Sequence, residues 1–510
     1  MPAGVRVVAV SIVTSLVLLA GGYVWADAAD VVPGPLTARA PEPPPPPPEK
    51  EPLVRPPTGV EVVPPAPSPD AAPEVDAAAP EVDAAALSAA LAPLLADPAL
   101  GPAPTLSVRD LATGTEVVTR SSGTALEPAS TAKLVTAAAA LRVLGAERRL
   151  VTRVAWVPAD QRPSGVPALV LIGGGDLLLG AGEDGPGVTD GRVGLLGLAR
   201  TAVTALTAPT GRVSLPPRIG EEVLLSPGVG VVDVVVDDSL LGSGPPPVRD
   251  PVDAFYASPP SSLAVAAGRR GAGAGRDPAP AATAGQVFAG AVATALTEAL
   301  GAGAPAVGAV QVSTSPVAVG PVLAQGKSAP VADVLAYLLL TSDNTVADAV
   351  ARLVARERGR PTDLPSAGQL LVEELREDGV DLGPTTIADG SGLGNGSLST
   401  AAALSGLLAV AAAAPNGDEL ALLPSLLPVA GLEGTLSSRF TGAKGSAAGR
   451  GVVRAKTGTL TGVVALAGVG TTADGRGVSF ALLSGGVPPG GTEAAQAAAD
   501  RVAAAVAVCC

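Results

Sequence analysis

Six consecutive prolines, Pro43 to Pro48, lie inside a stretch from Val31 to Ala86 that cannot join a packed core. Proline at this density favours extended polyproline II and removes backbone donors. The stretch also repeats itself, PEVDAAA running from Pro73 to Ala79 and again from Pro80 to Ala86. Residues 29–86 therefore read as a Pro/Ala-rich disordered spacer, which at about 3.1 Å per residue reaches roughly 170 Å. A globular fold has to be built from Leu87 onward.

In front of the spacer, Arg6 precedes a run of about 18 uncharged, mostly apolar residues, Val7 to Val24, the length at which a membrane span begins. Ala26-Asp27-Ala28 fits a small-x-small cleavage site. Residues 1–28 read as a signal peptide or a membrane anchor. Either places the rest of the chain outside the cytoplasm, in the cell envelope, because the positive flank comes first. Contact with a membrane is expected only through this segment.

Aromatic residues make up 2% of the chain and hydrophobic residues 47%, so the core is packed from Leu, Val and Ala. The net charge of −14 excludes nucleic acid as a partner, since phosphate binding needs clustered Lys and Arg. Histidine is absent, which rules out a Ser-His-Asp triad, a Cys-His pair and any His-ligated metal. The only cysteines, Cys509 and Cys510, end the chain and cannot staple a core. No metal or cofactor is expected.

A short helix to Leu95 is expected first. A hairpin comes next, formed by Thr105 to Asp110 and Glu116 to Arg120, and then a helix to about Leu144. From about Arg149 to Ala324 short Val-rich strands alternate with turns, interrupted by helices near Arg192 to Leu206 and Ala284 to Leu300. Within that region GRRGAGAGR, Gly268 to Arg276, reads as a flexible loop. Helical patterns return at Pro330 to Arg356 and Ser366 to Asp378. Strands return at Arg454 to Gly470 and Gly477 to Gly486, before an Ala-rich helix over about Thr492 to Val506.

Ser130 and Lys133 open the helix that comes after the hairpin, one turn apart on one face. A serine hydroxyl needs a base to become a nucleophile, and a lysine serves only if it is held neutral. Taken alone this is a helix cap followed by a charge. Ser342-Asp343-Asn344 in a turn and Lys456-Thr457-Gly458 at the head of a Val-rich strand change that. S-x-x-K, S-D-N and K-T-G are the signature of active-site-serine penicillin-binding proteins and class A β-lactamases. Their ordered occurrence by chance is on the order of one in a thousand.

Each residue has a job in that reading. Ser130 is the nucleophile and Lys133 its base. Ser342 relays protons, and Asn344 holds a substrate amide. Lys456 supplies a positive charge that lowers the Lys133 pKa by repulsion. Thr457 and Thr459 bind a terminal carboxylate, and Gly458 lets backbone approach closely. The N–H groups of Ser130 and Thr459 form an oxyanion hole.

At these residues the chain resembles the low-molecular-mass class C penicillin-binding proteins, the D-alanyl-D-alanine carboxypeptidases/endopeptidases of the penicilloyl-serine transferase superfamily. Roughly 210 residues separate Ser130 from Ser342, and that group inserts extra domains there. Gly173 to Asp176, Asp237 to Ser239, Asp389 to Leu393 and Leu427 to Phe440 also resemble its segments. Gly394, Asn395 and Ala266 stand where that group usually has other residues.

The resemblance implies an α+β/α/β fold, with a β-lactamase/transpeptidase-like domain formed discontinuously from 87–148 and 325–510. In it an antiparallel five-stranded sheet is flanked by helices, beside a helical lobe. A large inserted α/β region occupies 149–324. The implied activity is that of a serine D,D-peptidase, a D-Ala-D-Ala carboxypeptidase and/or D,D-endopeptidase, acting on peptidoglycan stem peptides through a Ser130 acyl-enzyme, with covalent acylation by β-lactam antibiotics. The alternatives are a catalytically weak wall-associated binding or scaffold protein and a β-lactamase.

Overall fold

In the computed structural model, the described residues are 78–207, 230–242, 244–245, 255–270, 275–442 and 445–508. They lie within the compact unit Ala66–Cys510. In chain order, helix α1 (Ala84–Leu95) precedes strands β1 (Thr105–Asp110) and β2 (Glu116–Arg120), then helix α2 (Lys133–Leu144). Next come β3 (Arg149–Val157), β4 (Ala168–Ile172), β5 (Asp176–Leu179) and α3 (Leu195–Thr207). They are followed by β6 (Val231–Asp237), β7 (Leu263–Val265), α4 (Pro280–Leu300), β8 (Ala306–Ser313) and β9 (Val322–Pro330). The last part holds helices α5 (Val331–Thr341), α6 (Asn344–Glu357), α7 (Leu364–Glu377) and α8 (Ala401–Ala413). Strands β10 (Arg454–Leu460), β11 (Val463–Thr471) and β12 (Gly477–Gly485) and helix α9 (Thr492–Val508) close the chain.

The first sheet has the order β10-β11-β12-β1-β2 and is antiparallel throughout. Successive side chains point to opposite faces, as strand geometry requires. Val464, Leu466, Phe480 and Leu482 face α1 and the alanine-lined side of α9. Ala465, Ala467 and Ala481 face the other way, into a core shared with α2, α5, α6, α7 and α8. Small residues there let helices come close: on α8, Ser405 Oγ lies 2.7 Å from Ser107 Oγ of β1, and its carbonyl accepts from Ser479 of β12. The expected five-stranded antiparallel sheet flanked by helices is thus present.

The second sheet, β8-β6-β4-β3-β9, is mixed, β4, β6 and β8 running parallel and β3 antiparallel to both of its neighbours. Helices α3 and α4 cover one face through Leu195, Leu198, Phe288 and Val292. The chain enters this region on β3 and leaves on β9, which are paired side by side. The long insertion therefore departs and returns at one place, and does not pull the ends of α2 and α5 apart. Strand β9 extends the region to Pro330, past the expected edge at 324.

The start of the packed structure also differs from expectation. Ala79 and Val82 are buried, Asp83 caps α1 by accepting from the N–H groups of Ala85 and Ala86, and Arg476 donates to the Ala79 carbonyl. The second PEVDAAA copy, together with the last residue of the first, Ala79, therefore belongs to the fold: Val82 is apolar enough to bury and Asp83 is an N-cap. Residues 1–28 and the rest of the expected spacer, to 77, lie outside the described residues, as do Lys444 and the two cysteines. Among the described residues no helix is long and apolar enough to cross a membrane.

Candidate active site

Ser130 sits in a single 3-10 turn, Ala129–Ala132, directly ahead of α2. The residue before it, Ala129, has φ 47°, in the left-handed region that non-glycine residues avoid. Two glycines permit the packing that holds it. A Cβ on Gly392 would collide with the Ala129 carbonyl oxygen, and one on Gly458 would lie 2.7 Å from that of Pro128. Both backbones thus close directly on the serine turn.

Lys133 is wholly buried, and its Nζ meets three oxygens: Ser130 Oγ at 2.9 Å, Asn344 Oδ1 at 2.7 Å and the Ser391 carbonyl at 2.8 Å. Burial pulls its pKa from an ordinary 10.5 down to about 8, against the charges of Asp348, Asp389 and Asp343, while Arg276 pushes the same way as burial. Asp389 binds the N–H groups of Ser391 and Gly394, and Asp348 Oδ1 accepts from Gly390, so two carboxylates shape the loop that presents the Ser391 carbonyl.

Ser342 ends α5 in the left-handed conformation, φ 56° and ψ 35°. Asp343 is next, as the N-cap of α6, accepting from Val346 N–H. The other oxygen of Asp343 takes two guanidiniums, Arg269 at 2.6 Å and Arg276 at 2.8 Å. These arginines stand at the two ends of the stretch that reads from sequence as a flexible loop, and those ends are bridged to each other. Glycine content masked a clamp whose counter-charge lies in a distant element. Two further contacts from the same region reach this turn: Asn344 Nδ2 donates to the Tyr256 carbonyl, and Ser258 N–H donates to Thr345 Oγ1.

Lys456 Nζ donates to Ser342 Oγ at 2.9 Å and to the Thr457 carbonyl at 2.8 Å. It too is wholly buried, and burial first, then the charges of Lys133 and Arg439, hold its pKa well below the ordinary lysine range. This reverses the expected direction of influence. Three carboxylates help Lys133 keep its proton, whereas repulsion from Lys133 adds to burial in stripping that of Lys456. Arg276 is the cation that lowers Lys133. Ser342 is hydrogen-bonded at the Lys456 end.

A cleft of about 710 Å³ opens over these groups, lined by Ser130, Ser342, Asn344, Tyr256, Asn395 and Thr459 among others. Strand β10 is the edge of its sheet at this cleft. Thr459 reaches the cleft, its hydroxyl accepting from Gln496 of α9. Thr457 is 8% exposed and donates to Thr435 Oγ1, so it forms the wall behind. Tyr256, Ser391, Arg269 and Arg276 escaped the sequence reading of the site. Only Ser391 had a signal there, in the DGSGL segment.

A cleft serine hydrogen-bonded to a buried lysine, under an open sheet edge, is an arrangement suited to a serine hydrolase that works without histidine. The sequence matches the D-Ala-D-Ala carboxypeptidase 3 (S13) family over residues 87–287 and 270–506. It is 34% identical over 451 residues to Carboxypeptidase DacB of Mycolicibacterium smegmatis, covering 86% of this chain and 89% of that one. It is 30% identical over 457 residues to the D-alanyl-D-alanine carboxypeptidase of Actinomadura sp. strain R39, covering 77% and 80%. The fold matches penicillin binding protein 4 (dacB) of Haemophilus influenzae with a TM-score of 0.60 at 21% identity, over 82% of this chain and 98% of that one. A complex of that protein with a β-lactam matches with a TM-score of 0.55 at 19% identity, over the same shares. The chain belongs to the S13 family of D-Ala-D-Ala carboxypeptidases, the low-molecular-mass class C penicillin-binding proteins.

Proposed function

We propose that the chain is an extracytoplasmic D,D-peptidase that cleaves D-Ala-D-Ala bonds, or the cross-links made from them, in peptidoglycan stem peptides through an acyl-enzyme on Ser130. One observation carries the assignment of nucleophile and base. Two of the three partners of Lys133 Nζ, the Asn344 and Ser391 carbonyl oxygens, can only accept. In the neutral amine they engage its two N–H groups and leave the lone pair for Ser130 Oγ, 2.9 Å away.

Ser130 Oγ attacks the carbonyl carbon as its proton passes to Lys133. The N–H groups of Ser130 and Thr459 receive the oxyanion. The C–N bond then breaks, and the leaving nitrogen takes a proton and departs as D-alanine or as the amine of a neighbouring stem. Water hydrolyses the ester and restores Ser130. Burial pulls the Lys456 pKa well below the ordinary lysine range, and an arriving carboxylate acts in the opposite direction by favouring its charged form. The free N–H of Asn344 is available to the substrate amide. In a β-lactam the nitrogen stays tethered after the ring opens, so the acyl-enzyme persists. The N-terminal apolar run, as export signal or anchor, delivers the enzyme to the envelope.

Mass spectrometry of muropeptides incubated with the protein tests this. Wild type is expected to release D-alanine or monomeric muropeptides and to be labelled by fluorescent penicillin. Ser130→Ala is expected to do neither, and equal labelling of that variant would sink the assignment.

A further inference from the structure

At the far end of α6 from Asn344, about 18 Å along the helix at 1.5 Å per residue, a second cavity of about 540 Å³ is lined by four arginines: Arg148, Arg149, Arg153 and Arg356. The concentration is notable in a chain of net charge −14. Two of the four have structural work. Arg148 pairs with Glu357 at 2.8 Å, and Arg149 donates to the Ser328 carbonyl. Arg153 and Arg356 are exposed and have neither an ion pair nor a side-chain hydrogen bond among the described residues.

The carboxylates in the cavity are already committed. Glu357 answers Arg148, and both oxygens of Asp237 accept backbone N–H groups, from Ser239 and Val317. Lys327 continues the basic surface: it pairs with Val151 across β3 and β9, as Gln325 does with Arg153, and opposed residues share a sheet face. Four guanidiniums against two carboxylates, Asp237 and Glu357, leave the lining net positive, and a bidentate oxyanion relieves the repulsion among the arginines.

We propose that this groove is an anion-binding site for a phosphate- or carboxylate-bearing glycopolymer, remote from the catalytic cleft. The anion site follows from the arginines alone. That the anion belongs to a wall polymer rests on the envelope role proposed above. Such a site would hold the enzyme on the wall while the cleft, at the other end of α6, turns over stem peptides.

The test uses the full chain and two labelled polymers, polyglycerol phosphate and polygalacturonate, with affinity read by fluorescence polarisation. Binding of at least one polymer is expected, weakening as salt rises. The Arg153→Gln/Arg356→Gln double variant is expected to bind that polymer about tenfold or more weakly, since two charge-assisted contacts are lost. The polymer whose binding falls identifies phosphate or carboxylate as the source. Wild type that binds neither polymer, or a double variant that binds as tightly as wild type, overturns the proposal. Penicillin labelling of the double variant at the wild-type rate shows that its fold is intact. If it labels poorly, Arg153→Gln alone takes its place under the same criterion. Failure of penicillin labelling in wild type would sink the peptidase reading and leave polymer binding still readable, so the two failures are distinct.

Discussion

In the proposed mechanism Lys133 is the base for Ser130, and a lysine acts as a base only while it lacks a proton, so the environment of Lys133 would set the pH at which Ser130 reacts. With its pKa lowered to about 8, the rate of acylation by a β-lactam should rise through neutral pH and reach half its plateau near 8. Arg276→Gln should move that rise to higher pH for two reasons of the same sign. The variant removes a cation that destabilises the Lys133 ammonium, and it leaves Asp343, which stabilises that ammonium, less neutralised. Stopped-flow acylation across pH decides: a midpoint that stays put or falls means that Arg276 does not tune the base. The sequence nominates Ser130, Lys133, Ser342, Asn344 and Lys456 because their spacing along the chain is the signal, and the structure brings the five together. It could not expose Arg276, which reaches the site only through tertiary folding, and so Lys456 was assigned the influence that belongs to Arg276.

At the scale of elements, legibility followed periodicity. The β1–β2 hairpin and β12 are legible as short runs bounded by turn residues, whereas the apolar run Arg454 to Gly470 reads as one stretch that the structure divides into β10 and β11. Helix α8, AAALSGLLAVAAA, is apolar on nearly every side and has no 3.6-residue stripe, so it escaped the reading. The turn between α5 and α6 was visible as a break between helical runs, but not what holds it. Asp343 is fully buried there, with Arg276 10% exposed beside it. Asp343→Ala removes the α6 N-cap, worth about 1 kcal/mol, and strands a nearly buried guanidinium, a change that costs about 3–5 kcal/mol when the pair is fully buried. The half-exposed Arg269 adds little. Asp343→Asn keeps the cap acceptor at Oδ1 and replaces the arginine-facing oxygen by an amide NH2, so it loses the charge and the guanidinium acceptor while leaving the cap. Urea unfolding should therefore rank wild type above Asn and Asn above Ala, with acylation slowing in the same order because Ser342 and Asn344 flank the cap. Equal stability of the three would show that the clamp does not hold the turn.

For the whole molecule, two junctions decide how the chain assembles. One is the pairing of β3 with β9, which lets a long insertion hang from the catalytic fold and still bring Ser130 and Ser342 to one cleft. The other is the entry to the fold, where the repeated PEVDAAA suggests one behaviour for both copies and the structure gives the second a role of its own. Val82 is 8% exposed, Asp83 caps α1, and the Ala79 carbonyl accepts from Arg476, whose Nε also binds Asp110 of β1 at 2.8 Å. A chain that begins at Leu87 loses all of these, while one that begins at Ala78 keeps them. The cap contributes about 1 kcal/mol, burial of a valine about 1.5 kcal/mol or more, and a hydrogen bond from a charged donor about 1.5 kcal/mol. The Leu87 chain should therefore be less stable than the Ala78 chain by a few kcal/mol, with a lower thermal midpoint. Both should still be labelled by penicillin at low temperature, because α1 packs on the sheet face opposite the cleft. Equal midpoints would return residues 78–86 to the spacer; a lower one places the edge of the fold inside the repeat.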